Sequence, residues 1–445
     1  MKNYTLPANN FSKEIFNFTQ KFTDCLSRPQ QGNFRELIRG MIATGSVYLS
    51  AIAKSNSTAN NVRKDVERLS NTLDKIPVPV FTQMHIAGQT HKYKDEPLLI
   101  LSDGGDFQKP YAGKMEKVCG AADGSSNHKK GNGYPLQSLV AYGTQSGVIT
   151  PLAMHLFSTK SENYKSDWHE HKKIFDMLTP LINSSSEDRI VVEDRGCDDG
   201  KRFIYFLREL ECSFVTRIHA GNKSRGVIVR DTDGNERIYS IQELAEDIRS
   251  KASDERVWYN KKVRKELSSK IAYQKVCLPG HKDIPLYAIF VYSEGYEQPL
   301  VVLTDLITED AETAWEHFFY YKKRWEVENF YRAVKQNFSA EKFLILGFGK
   351  IQSLAFLLMF AMSLIIRLKN RITEFLGSFI CYFRDFCRKE QRTGEHHLDV
   401  LAFLRISLPQ ATSEYSYRFR SRHISKNRFK IKENQMKLFD WRKKW

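Results

Sequence analysis

The sequence contains no C-x-x-C pair. Its seven cysteines, at positions 25, 119, 197, 212, 277, 381 and 387, are odd in number and scattered. That pattern suggests neither a disulfide framework nor a thiolate zinc site, and it fits a reducing cytoplasm. Long apolar runs are missing too. The longest, Leu354 to Ile366 (LAFLLMFAMSLII), has 13 residues, too short to span a bilayer as it stands, and it reads as a buried helix. The N-terminal stretch MKNYTLPANNFSKEIF lacks the apolar centre of a signal peptide. No internal repeat is evident. These absences predict a soluble, cytoplasmic protein without a membrane partner. Acidic residues are in short supply: 52 Asp and Glu face 68 Lys and Arg, a formal charge of +16. Such a surplus favours a polyanionic partner, because basic surfaces gain free energy by releasing counterions from phosphates. Nucleic acid and an anionic membrane surface are the two candidates on charge alone.

What is present describes a folded chain. At 445 residues, 41% hydrophobic and 12% aromatic, it is long enough for two or three domains with a large core. Residues 10–76 carry helical periodicity. They predict three or four short helices, separated by Pro29, Gly32 and the SNSTANN linker. With Arg35, Arg39, Lys54, Arg63 and Lys64 on its surface, a helical domain over 1–80 suits DNA reading of helix-turn-helix type; a helical cap on the main domain is the alternative. From about 97 the pattern changes. PLLILSD (97–103), SLVAYG (138–143), VITPLAMHLFS (148–158), RIVVED (189–194) and SFVTRI (213–218) read as strands. Helices are expected over 167–181 and 199–211. Three strands joined by short links, then strand–helix–strand, describe an α/β layer with a mixed sheet. Residues 219–300 are β-rich, with a D-G hairpin turn, and read as an insertion within that layer. The core then resumes over 301–370. A helical, basic region (371–445) closes the chain, with Arg418, Arg420, Arg422, Lys426, Arg428, Lys430 and Lys432 available to DNA or a second subunit.

Two of the strands end in a carboxylate followed by glycine or nearly so: Asp103-Gly-Gly-Asp106 and Asp194-Arg-Gly. Carboxylates at the ends of adjacent strands converge above a sheet and repel unless a cation neutralises them. Hard oxygen ligands of that kind suit magnesium or manganese, although an acid after a strand is more often an ordinary turn former. The third element is the helical stretch AETAWEHFFYYKKRWEVENFYRAVKQNF. At about 100° per residue, Tyr321, Arg324, Glu328 and Lys335 fall within a sector of roughly 60°. Val327, Phe330, Tyr331, Val334 and Phe338 form the opposite, buried stripe. A face that does not need burial, carrying one carboxylate among phosphate-binding groups, is either a solvated charged face or part of a phosphoryl-transfer site.

The spacing Tyr321-x2-Arg324-x3-Glu328-x6-Lys335 resembles the Tyr–Arg–Glu–Lys motif of bacterial insertion-sequence transposases with an Asp-Asp-Glu triad. Four fixed identities coincide by chance in roughly one window in 10⁵. LILSDGGDFQKPYAGKMEKV, VVEDRGCDDGKRF and SFVTRI followed by a β-rich insertion are similar to the same family, over about 90–370. The resemblance implies a ribonuclease-H-like mixed five-stranded sheet over 90–218 and 301–370. It implies a catalytic, metal-holding triad of Asp103, Asp194 and Glu328 with two Mg2+ (or Mn2+) ions. Double-stranded DNA, as element ends and target, would be the partner, bridged by a homodimer. Tyr321, Arg324, Lys335 and Arg217 would grip phosphates, and Trp325 would stack on an unpaired base or pack its helix. Where many relatives have Asp-x-Ser or Asp-x-Thr, this chain has Asp103-Gly104-Gly105, with Asp106 as the alternative first acid. The expected activity is cleavage of element ends and joining of 3′-ends to target DNA. A nuclease without strand transfer and a domesticated, inactive DNA-binding protein are the competing readings.

Overall fold

The computed structural model describes residues 5–55, 61–122, 130–221, 224–260 and 265–375. The basic tail beginning at Arg418 lies outside the described residues. The chain opens with five helices: α1 (Thr5–Thr23), α2 (Arg28–Thr44), α3 (Leu49–Lys54), α4 (Val62–Leu73) and α5 (Val78–Ala87). Pro29 and Gly32, expected as breaks, lie inside α2. Pro29 occupies the first turn, where its missing N–H would have had no helical partner. The side chain of Gln30 accepts from the Ser27 backbone N–H at 3.0 Å and fixes the start. The helix closes at Gly45 in the left-handed region, φ 57.

The sheet follows. Its strands are β1 (Leu98–Gln108), β2 (Cys119–Ala122), β3 (Lys130–Gly143), β4 (Ile149–Leu156), β5 (Arg189–Glu193) and β6 (Ser213–Ile218), with α6 (Asp167–Asp176) and α7 (Thr179–Ile182) before β5 and α8 (Gly200–Arg208) after it. β1 runs parallel to β5, and β5 to β6, whereas β3 pairs antiparallel with both β1 and β4. The strands expected from the sequence therefore lie in the order β4-β3-β1-β5-β6 as a mixed sheet.

The sheet does not stop there. After β7 (Gly226–Arg230), β8 (Glu236–Ser240), α9 (Ile241–Asp247), β9 (Ser253–Asn260), β10 (Lys265–Leu278) and β11 (His281–Ser293), the chain returns as β12 (Leu300–Thr304). β12 pairs antiparallel with β6, and β11 and β10 extend the same sheet, which counts twelve strands among the described residues. Gly234, at φ 83, makes the β7–β8 turn, in which Asp231 accepts from the Asn235 N–H at 2.8 Å.

β1 is buried on both sides, which is why its sequence is a continuous apolar run rather than an alternating one. Leu99 and Leu101 face a core shared with the N-terminal helices and with α10 (Ala311–Lys323), α11 (Trp325–Phe338) and α12 (Phe348–Phe375). Leu98 and Ile100 face the other core, under α6–α8. The aromatic rings of Phe18, Phe22 and Phe34 lie 4.5–5.9 Å from that of Phe360 on α12, so the N-terminal helices pack directly on the rest of the chain. The segment Phe348–Arg367 is apolar and long enough to cross a membrane, yet most of it is buried within the protein. Core packing accounts for its composition, as a buried helix.

Candidate active site

Asp103 was expected to end a strand. Instead β1 continues to Gln108, still paired with β3, with Asp103 opposite Ser138. What ends is the parallel pairing with β5, whose last rung is Leu101↔Val192. Beyond that rung the two strands part, and Asp103 and Asp194 flank the opening. Both have the strand parity of Leu101 and Val192, so they face the side covered by α10 and α11.

Those two helices are consecutive but not one continuous rod. At Arg324 the backbone tightens: its N–H donates to the Tyr321 carbonyl and the Val327 N–H to the Arg324 carbonyl, both at 3.0 Å and both three residues back. The guanidinium of Arg324 thereby reaches three carboxylates at once. Nη1 lies 3.3 Å from Asp103 Oδ2, and Nη2 lies 3.6 Å from Asp194 Oδ2 and 2.8 Å from Glu328 Oε1. Tyr321 donates its hydroxyl to Asp194 Oδ1 at 3.0 Å, and Arg217 Nη1 stands 4.0 Å from the same oxygen.

The helix face that was expected to need no burial is largely covered at this point. Arg324 and Tyr321 are buried, and the Arg324 side chain is only 6% exposed; the parted strand ends roof it. Lys335 belongs to the same face but not to the same cluster. Its ammonium binds Asp106 at 3.2 Å and Glu341 at 3.0 Å. Asp106, the alternative first acid, is thus tied to Lys335, while Asp103 faces Asp194 and Glu328. Trp325 opens α11 and is half-buried.

Electrostatics separates the two aspartates. Burial pushes the Asp103 carboxyl up to about 7, with Glu328 and Asp194 adding to the rise and Arg324 opposing it. Burial also opposes ionisation of Asp194, but Arg324, the Arg195 backbone N–H, Tyr321 and Arg217 outweigh it and hold that carboxyl below its ordinary value. Burial works against the charge of Arg324 as well, yet Asp194 and Asp103 lead the groups that keep its guanidinium firmly protonated.

Two contributors escaped the sequence reading. Tyr331, assigned only to the buried stripe, donates its hydroxyl to the backbone carbonyl of Asp103 at 2.9 Å. Gly105 leaves room for it: a Cβ there would come within 3.0 Å of the Tyr331 ring. Spacing offered one hint, since Tyr331 lies one turn beyond Glu328.

Among the described residues, no group of three or more His, Cys, Asp or Glu side chains is gathered closely enough on its own to hold a metal ion. The donor chemistry nevertheless fits a hard divalent cation. Three carboxylates share one guanidinium, so negative charge is in excess, and all the ligands on offer are oxygens.

A family described as the transposase DDE domain matches residues 94–364. No curated protein matches the chain. The matched region takes in more than half of the 445 residues, with β1, β5 and the α10–α11 junction all inside it, and the chain therefore belongs to the DDE transposase family.

Proposed function

We propose that this transposase cleaves the ends of a mobile DNA element and joins the freed 3′-ends to target DNA, with Asp103, Asp194 and Glu328 as its catalytic carboxylates. The observation that carries the reading is their convergence on the single guanidinium of Arg324. Held by these three carboxylates, two magnesium or manganese ions would supply charge neutralisation at phosphorus and an activated water or 3′-hydroxyl.

The chain's own groups bind and orient the DNA around that point. Arg324 presents a planar fork of donors matched to phosphate oxygens. Tyr321 steadies the Asp194 carboxylate by donating to it, and Arg217 adds positive charge on the same side. Lys335 takes a phosphate farther along α11, and Trp325 stacks on a base unpaired at the cut end. The formal charge of +16 attracts the duplex. Exposed Lys54, Arg63 and Lys64 on the N-terminal helices read the element ends. A homodimer brings two such ends together, since they must be joined coherently. The protein works in the bacterial cytoplasm, on the nucleoid.

The test uses labelled duplexes copied from the DNA that brackets the gene, incubated with Mg2+ and a target plasmid. Nicked ends and joined products are expected, and Glu328→Gln should abolish both while DNA binding persists. Nicking that survives Glu328→Gln removes the site assignment. Cleavage without any joined product points to the nuclease reading instead.

A further inference from the structure

Backbone pairing between β1 and β5 stops at Leu101↔Val192, one residue short of Ser102 and Glu193 and two short of the aspartates. At that place a side-chain bond takes over: Ser102 Oγ donates to Glu193 Oε1 at 3.0 Å. Ser102 in turn accepts from Gln137 Nε2 of β3 at 2.6 Å. From α8, Arg202 donates Nε to Glu193 Oε2 at 3.0 Å and Nη2 to Oε1. The guanidinium of Arg202 lies 4.5 Å above the Trp168 ring and 3.3 Å from His171 Nδ1. This network occupies the face of the sheet opposite Asp103 and Asp194, and it is closed to solvent: Glu193 and Gln137 are 0% exposed, Ser102 1% and Arg202 5%.

Stability is a poor reason to build such a pair. A buried ion pair roughly breaks even against apolar residues of the same volume, because each ion loses its hydration. What a buried network of hydrogen bonds does supply is a fixed geometry. Here it cross-links two strands at the residue before each aspartate, where the backbone ladder no longer sets their separation. Displacing a reacting group by about 1 Å can cost on the order of 10²-fold in rate.

We propose that Glu193, clamped by Arg202, is a positioning residue that sets the spacing of Asp103 and Asp194 through Ser102. The inference rests on the site reading given above. It is tested on the full-length chain with Ser102→Ala, which cuts the strand-to-strand bond and leaves the Glu193–Arg202 pair intact, and with Glu193→Gln, which keeps the shape and removes the charge. Four quantities are measured: Mn2+ affinity by titration calorimetry, kcat and KM for cleavage of element-end duplex, and the melting temperature.

Ser102→Ala is expected to weaken Mn2+ binding and lower kcat about tenfold each, with KM for DNA nearly unchanged and the melting temperature lowered only by the modest amount that losing its two buried hydrogen bonds gives. Glu193→Gln should move the same quantities further. If it fails to fold, Ser102→Ala decides alone. A lowered melting temperature with Mn2+ affinity and kcat intact would overturn the proposal, since that is what a purely stabilising network gives. Asp103→Asn separates the two levels. Should it retain Mn2+ binding and cleavage, the site reading itself fails; should it lose both while Ser102→Ala changes neither, only the positioning role falls.

Discussion

Arg324 holds Asp103 at 3.3 Å, a cation from a helix junction set against an acid from the first strand. The same guanidinium contacts the other two acids, so it stands where a divalent ion would be expected to neutralise them. Metal and arginine then compete. Replacing Arg324 by Gln should tighten Mn2+ binding to the DNA-free protein by roughly tenfold, about 1.4 kcal/mol, while lowering DNA cleavage by roughly 10²-fold through loss of the phosphate fork. Calorimetric titration of Mn2+ into both proteins checks the first half, and equal affinities would refute the competition.

Acidity at the site gives a second prediction, with a definite sign. Burial raises Asp103 from 3.8 to about 7. An acid that binds its proton more tightly when folded stabilises the fold fully below its unfolded value, and that contribution is lost as pH rises through the folded value. Without divalent cations, the melting temperature of the wild type relative to Asp103→Asn should therefore fall between about pH 4 and pH 7 and level off above. Asp194, held low, runs the other way: its contribution is present above its unfolded value and lost only under more acid conditions, outside this window. A flat difference would mean that Asp103 ionises like an ordinary carboxylate.

Tyr331 ties α11 to the backbone of the first acid. Tyr331→Phe should cost roughly 1 kcal/mol, the usual net worth of one hydrogen bond, measured by urea unfolding, together with a severalfold fall in cleavage. Gly105→Ala should lower cleavage as well, because its methyl would press on the Tyr331 ring. If both variants cleave like the wild type, the tie carries no mechanistic weight.

Arg217 is assigned one phosphate. Arg217→Gln should weaken DNA binding across all sequences and make the slope of log affinity against log salt shallower by about 0.9. An unchanged slope in a salt series of binding isotherms would assign Arg217 to Asp194 alone.

Much of this arrangement was legible in the chain. β1 and β5 announced themselves as apolar runs ending near acids, and helical spacing put Arg324 and Glu328 on one face. The remainder depended on tertiary neighbours. Gly104 and Gly105 do not resemble strand, yet β3 supplies the pairing that carries β1 past them. Angular position on a helix says nothing about depth, so the burial of Tyr321 and Arg324 beneath the strand ends was invisible. Axial distance also separates what a wheel superimposes: Lys335 lies about 10 Å along α11 from Glu328, which is why it meets Asp106 rather than the other acids. The Glu193–Arg202 pair was hidden for another reason, since ionisable residues usually stay in water unless paired.

The register of β12 on β6 places Val301 directly opposite Ile218. The long excursion between them thus departs and re-enters at neighbouring points, and Glu328 is delivered by the re-entry, whatever the excursion contains. Trimming that loop to a tight turn would leave the three acids in place but strip β12 of β11, turning a central strand into a raw edge open to pairing with other chains. Self-association, rather than a misplaced glutamate, is the cost such a shortened protein would carry.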